Sequence, residues 1–267
     1  MEAQSPADAA ALLETCHWPS EAYWRMIELD AVRPYLVDLQ HPVLELGCGT
    51  GLFTELAGLQ VDLAVDLNPN AVARARERPD VYRSVREVDI RALDPKIGTF
   101  GTIFSNSVLE HVTELESVLA RCCELLSPAG RLIATVPLRA MNDHLTVRSP
   151  AYARARQRML QHHNLWTIEE WESSLEAAGF AAVSASPYLD GAACHRWDMM
   201  DAPAAVGIGR YRVAPIVDGV LSRMLPAALK QRGKSRLARS LLAWTARPSA
   251  GSFCASVLIA AKGGGGQ

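Results

Sequence analysis

The sequence predicts an α/β fold built on a mostly parallel sheet with helices on both faces. Three observations carry this. Short apolar runs alternate with stretches of helical periodicity, the order that produces parallel strands joined by crossover helices. The first run, Val43 to Leu46, passes directly into the glycine-rich turn Gly47-Cys48-Gly49-Thr50-Gly51. Capping chemistry then marks where several helices begin.

Residues 1–40 read as helical, with Leu12, Leu13, Trp18, Tyr23, Trp24, Ile27 and Leu29 in apolar positions and a break at Pro19-Ser20. This segment precedes the fold proper and can close over it as a lid or simply pack against it. Strands are expected at Val43 to Leu46, Val61 to Val65, Tyr82 to Val88, Thr102 to Ser105, Leu132 to Val136 and Ala181 to Ser184. Asn68-Pro69 opens a helix, because the asparagine side chain accepts from the first turn and proline lacks only an N–H that would be unpaired there. Thr113-Glu114-Leu115-Glu116 reads as a capping box before a helix that puts Leu115, Val118, Leu119, Cys122 and Leu126 on one side. Ser127-Pro128 stops that helix, and Gly130 turns the chain into the fifth strand. Thr167-Ile168-Glu169-Glu170 is a second capping box, with Ile168, Trp171 and Leu175 facing inward and Gly179 at the helix end. The core therefore spans 41–187, a helical insertion 188–252, a returning strand 253–262 and a disordered glycine-rich tail 263–267.

A chain of 267 residues that is 49% apolar can bury a full core as one decorated domain. Its net charge of −2 offers no general attraction to a polyanion, so no nucleic acid is expected as partner. Met1 to Leu13 carries early acids and no basic start before an apolar run, which argues against a secretory signal and for a cytoplasmic location. Asp218, Arg223 and Pro226 interrupt the best apolar stretch, so no membrane span is expected. The six cysteines form no C-x-x-C pair and read as reduced thiols. Neither Cys194-His195 nor His162-His163 repeats at ligand spacing, and no metal is expected. Oligomeric state is not legible.

The glycines at 47, 49 and 51 fall at alternate positions, whereas a dinucleotide fingerprint needs G-x-G-x-x-G. The spacing favours a different nucleotide-like ligand. Glu45, Gly47, Gly49 and Gly51, an acid after the second strand (Asp66), another after the third (Asp89), and Ser107-Val108-Leu109-Glu110-His111-Val112 after the fourth together resemble the class I S-adenosylmethionine-dependent methyltransferases. The resemblance covers about Val43 to Phe180 and is greatest to the small-molecule branch that includes quinone-type O-methyltransferases. It implies a Rossmann-like methyltransferase fold of seven strands, the last entering antiparallel. It also implies S-adenosylmethionine as cofactor, S-adenosylhomocysteine as product, and a small organic acceptor methylated at a hydroxyl oxygen. Cofactor contacts are then implied at Glu45, Gly47, Cys48, Gly49 and Gly51 in the turn, at Asp66 and Leu67 beside the ribose, at Asp89 and Ile90 beside the adenine, and at Ser105 and Asn106 near the methyl.

The loop after the fourth strand lacks the N/D-P-P-Y/F signature of methyltransferases that act on nucleobase nitrogens. His111 is a candidate base, since imidazole titrates near neutral pH, unless Glu110 and His111 only orient the next helix. His144, in the loop after the fifth strand, is a second candidate. Tyr23, Trp24, Glu110, His163 and Trp166 are candidate substrate contacts, Trp166 being equally readable as core. Within the insertion, Val217, Val220, Leu221, Met224 and Leu225 fall at helical spacing and precede Lys230, Arg232, Lys234, Arg236 and Arg239. Such an element can lie on anionic lipid across 217–247, cover a substrate, or pack with a solvated basic face. The alternatives are accordingly an N-, C- or lipid methyltransferase at a membrane surface, and a non-catalytic partner that keeps the fold.

Overall fold

The computed structural model describes residues 6–16, 18–205, 207–208, 211–212, 236–237, 240–243 and 252–263. Helices α1 (Pro6–Thr15) and α2 (Pro19–Val32) precede the sheet. Its strands are β1 (Val43–Leu46), β2 (Leu63–Asp66), β3 (Val85–Glu87), β4 (Phe100–Asn106), β5 (Leu126–Pro137) and β6 (Phe180–Asp190), followed after the insertion by β9 (Phe253–Lys262). Between them lie α3 (Leu52–Leu56), α4 (Pro69–Ala75), α5 (Leu115–Leu125), α6 (Pro150–Leu160) and α7 (Ile168–Ala177). The insertion begins with α8 (Gly191–Ala205) and a small hairpin of β7 (Gly207–Ile208) and β8 (Tyr211–Arg212).

The seven-stranded sheet runs β3-β2-β1-β4-β5-β9-β6, and β9 alone is antiparallel to its neighbours. The central strands β1 and β4 are buried along their whole length, as expected of parallel strands covered on both faces. Leu46 pairs with Val65 on one side and Ser105 on the other, so Gly47, Asp66 and Asn106 emerge together at the carboxyl edge. That edge is where open α/β sheets bind ligands. One face of the sheet packs Val118, Leu119, Trp171 and Leu175 from α5 and α7; the other packs Val32, Val72 and Ala75 from α2 and α4. A third apolar cluster joins Leu12, Tyr23, Trp24 and Met26 of the amino-terminal helices to Cys194 and Trp197 of α8.

Several expected boundaries move. The third strand shortens to Val85–Glu87, with Tyr82 only bridging Val61. The fifth starts at once after α5, with a register shift between Phe100 and Thr102 on β4, and the sixth runs on to Asp190. The capping box expected at Thr113 does not form: Glu114 takes a left-handed φ of 58° and caps nothing, while Thr113 Oγ1 accepts from Arg91 Nη1 at 3.0 Å. The box at Thr167 forms in full, and Asn68 caps α4. All six cysteines are unpaired. No helix among the described residues is long and apolar enough to cross a membrane. The amphipathic run 217–225, the basic residues Lys230, Arg232, Lys234 and Arg239, and the tail 264–267 lie outside the described residues, whereas Arg236 sits exposed on a helical turn.

Candidate active site

Three adjoining cavities lie along the carboxyl edge of the sheet. The first, about 310 Å3, is formed by the glycine turn, Glu45, Asn68, Arg74 and Asn106, and is walled by Cys16, Glu21 and Arg25 from the amino-terminal segment. The second, about 400 Å3, holds Asp66, Leu67, Asp89, Ile90, Val108 and His163. The third, about 260 Å3, is lined by Trp24, Ser107, Glu110, His162, Met141 and Trp197 among others. Gly47 is common to the first and second, His111 to the second and third, and Arg25 to the first and third. The three form one cleft in which His111 and Arg25 stand at the junctions.

The glycine turn is held from below. Asp66 accepts from the Gly49 N–H through Oδ2 and from the Asn68 N–H through Oδ1, both at 2.8 Å, so one carboxylate fixes the loops after β1 and β2. Gly49 has φ +53°, and a Cβ added there would meet nothing within 4 Å. The space above it is open cavity, as a cradle for a ligand requires. Gly47, at φ +71°, differs: a Cβ there would strike Val108. Glu45 is buried, receives a 2.6 Å hydrogen bond from Thr54 Oγ1, and is pushed up to about 7, chiefly by burial and further by Asp66. Asp89 is gripped by Arg91, with Nη2 at 2.6 Å from Oδ2, and its carboxyl is held below the usual range by those hydrogen bonds. Leu67, 65% exposed, lies over the second cavity as an apolar surface for a ring.

Where the second and third cavities meet, β4 leads into a short helical turn, Leu109–His111. Ser107 precedes it at φ 50°, a left-handed conformation that non-glycine residues adopt at a cost and that recurs at functional sites. His111 Nδ1 lies 3.2 Å from the Gln161 carbonyl; a carbonyl only accepts, so Nδ1 carries the proton and Nε2 keeps its lone pair. Burial lowers the His111 pKa, which keeps the ring neutral at pH 7. Beneath this turn, Glu28 of α2 is fully buried and meets Arg25 Nη1 at 2.6 Å, Ser107 Oγ at 2.6 Å and Thr135 Oγ1 at 2.7 Å.

The cleft thus gathers most of the residues singled out from sequence: Glu45, Gly47, Cys48, Gly49, Gly51 and Asn106 in the first cavity, Asp66, Leu67, Asp89, Ile90 and His163 in the second, and Trp24, Glu110 and His111 in the third. Four lie apart from it. Ser105 is wholly buried within β4. Tyr23 is buried and accepts from Arg196 Nε at 3.0 Å. Trp166 packs on Trp171 with ring centres 4.7 Å apart, which is the core reading. His144 bonds to Ser252 and lines none of the three cavities. Sequence reasoning missed Arg25, Glu28 and Trp197, and weighed His162 only as a metal ligand, a reading it set aside. The Arg25 and Glu28 spacing of one helical turn was a visible signal for that pair; the other two come into place only through tertiary packing.

The strand order, the antiparallel β9 and the glycine turn cradled by Asp66 define the class I S-adenosylmethionine-dependent methyltransferase fold. The chain belongs to the methyltransferase-domain family, whose profile matches residues 25–185. A ubiquinone biosynthesis O-methyltransferase from Thiobacillus denitrificans is 30% identical over 140 residues, 46% of this chain and 60% of that protein. The chain spans still less, 38%, of the Rhodopseudomonas palustris (strain TIE-1) protein of the same name. Among solved structures, a SAM-dependent methyltransferase from Thermotoga maritima aligns with a TM-score of 0.56 at 16% identity, covering 90% of this chain and 89% of that one. The phosphoethanolamine N-methyltransferase 2 of Haemonchus contortus, in complex with S-adenosyl-L-methionine, gives 0.56 at 19% identity, covering 88% and 52%. These structural likenesses speak to the fold.

Proposed function

We propose that this chain transfers a methyl group from S-adenosylmethionine to a hydroxyl oxygen of a small organic acceptor. The observation that carries the reading is the junction at His111, where the cavity holding Asp66, Asp89 and Ile90 meets a separate aromatic-walled one. Bound S-adenosylmethionine supplies an electrophilic methyl on a sulfonium whose departure leaves a neutral thioether. Gly49 leaves room for the amino-acid portion, and Glu45 presents a carboxylate towards its positive charge. Asp66 keeps spare acceptor capacity for ribose hydroxyls, because each of its oxygens has accepted only one N–H. Asp89 and Ile90 serve the base, with Leu67 covering it.

On the acceptor side, Trp24 and Trp197 meet edge to face at 5.4 Å and give the third cavity an apolar wall. The neutral His111 accepts the hydroxyl proton at Nε2. Methyl transfer needs little else beyond alignment of oxygen, carbon and sulfur, so positioning accounts for most of the acceleration. Helix α2 acts as the lid and α8 as the acceptor cover in this scheme. The name shared by the curated relatives supports oxygen as the atom methylated.

Incubation of the protein and S-adenosylmethionine with a metabolite extract, followed by mass spectrometry, tests the reading. A hydroxylated compound that gains one methylene unit, with S-adenosylhomocysteine formed in equal amount, is expected. Ready methylation of amines with no hydroxylated product would overturn the oxygen assignment.

A further inference from the structure

We propose that Glu110, His111 and His162 form a binding site for a first-row divalent cation such as Zn2+, Mn2+ or Fe2+ on the wall of the acceptor cavity. One ligand atom from each of the three lies within 4.8 Å of the others. One carboxylate and two imidazoles form a mixed donor set suited to such cations, and three protein ligands leave further coordination positions free.

Two polar atoms of the set have no hydrogen-bond partner. Glu110 is 2% exposed, and its Oε2 has no hydrogen-bond partner. His162 Nδ1 is likewise buried without one. Arg25 forms its ion pair with Glu28 while its charge also acts on Glu110. A buried carboxyl oxygen without a partner is costly, and a bound cation would satisfy it. His111 Nε2 stands 3.8 Å from Glu110 Oε1, and its other nitrogen donates to the Gln161 carbonyl, the outer contact that fixes the tautomer of a ligating histidine.

Backbone contacts preset the arrangement. The N–H groups of His163 and Asn164 both donate to the Glu110 carbonyl, at 2.8 and 3.0 Å. Asn164 Nδ2 donates to the carbonyls of Leu109 and Val112, at 2.9 and 2.6 Å. The segment carrying His162 is thereby stapled to the turn carrying Glu110 and His111, and the two histidine rings sit 5.2 Å apart. No local sequence spacing reveals this set, because the staple is tertiary.

This inference rests on the proposed oxygen methylation and refines it. An acceptor hydroxyl that coordinates the cation loses its proton to solvent, since the metal stabilises the oxyanion. In the transfer itself the acceptor oxygen would form the new O–C bond as the C–S bond breaks, with the electron pair of that bond leaving on sulfur. With a cation held there, His111 Nε2 would serve as a ligand, and its role as proton acceptor would apply to the cation-free site.

The test uses the untagged protein, stripped with a chelator and titrated with Zn2+ by calorimetry and with Co2+ by visible absorption, while S-adenosylhomocysteine binding is measured in parallel. One cation per chain is expected, with visible bands of imidazole-ligated Co2+. His162→Ala and Glu110→Gln should each weaken cation binding by at least about 10-fold while by-product binding persists, and the exposed His195→Ala should change neither. Persisting by-product binding shows that the variants fold; should His162→Ala lose it, His162→Gln takes its place. A wild-type protein that binds by-product but no cation, or variants that bind the cation as tightly as wild type, would overturn the site. Failure to bind the by-product while the cation binds would instead remove the methyltransferase reading and leave the site standing.

Discussion

Ser107 Oγ donates a 2.6 Å hydrogen bond to Oε1 of Glu28, which ties the left-handed residue at the end of β4 to the amino-terminal helix. The other oxygen of the same carboxylate holds Arg25, which lines both the first and the third cavity. Helix α2 is therefore fastened to the site by a polar hub as well as by apolar packing. Glu28→Gln keeps the shape but puts an amide N–H or a weak acceptor against Arg25. Urea denaturation should show a loss of about 1.5–3 kcal/mol, the range for hydrogen bonds to charged groups, and KM for the acceptor should rise more than KM for the donor.

Gly49→Ala separates the cradle from the fold. The new methyl enters open space, so the strain is only that of a left-handed alanine, about 1–2 kcal/mol. Thermal unfolding should register that modest loss, while S-adenosylhomocysteine affinity falls steeply because the methyl fills the cavity. Gly47→Ala, which strikes Val108, should lose more stability than Gly49→Ala.

Glu45 gives the fold a pH dependence of definite sign. Its pKa rises from an ordinary 4.5 to about 7 on folding, so the folded state holds a proton that the unfolded state releases. The associated stability is complete below about pH 4.5 and is lost as pH rises through 7. Glu45→Gln should flatten the fall in melting temperature across that window. Donor binding brings positive charge to this carboxylate and should expel the proton; calorimetry near pH 6.5 in buffers of different ionisation enthalpy would read the release.

Trp171 is wholly buried between α7 and the sheet and packs on Trp166. Trp171→Ala should cost about 3–5 kcal/mol, as for other large core truncations. Trp166→Ala, at the margin of the same cluster, should cost less and leave donor affinity unchanged.

The sheet was legible because its evidence is local: alternating runs, the glycine turn after Leu46, and caps at Asn68 and Thr167 each declare themselves within a few residues. The Thr113 cap failed for a tertiary reason, since Arg91 from the preceding loop claims the threonine hydroxyl and Glu114 turns left-handed. The cavity around the glycine turn was legible for the same local reason, as Gly49 and Asp66 close one strand–loop–strand unit. The third cavity was not. Trp197, His162 and Arg25 come from three separate segments that meet only when α2 and α8 pack over the carboxyl edge, and no periodicity within one segment encodes that meeting.

Titration of the purified protein with S-adenosylhomocysteine, for the wild type and for Asp66→Asn, tests the central claim most directly. The account predicts saturable one-to-one binding for the wild type, weakened roughly 10- to 100-fold in the variant, as expected for loss of charged hydrogen-bond acceptors. No detectable heat from the folded wild-type protein at millimolar ligand, or equal affinity in the two proteins, would contradict it.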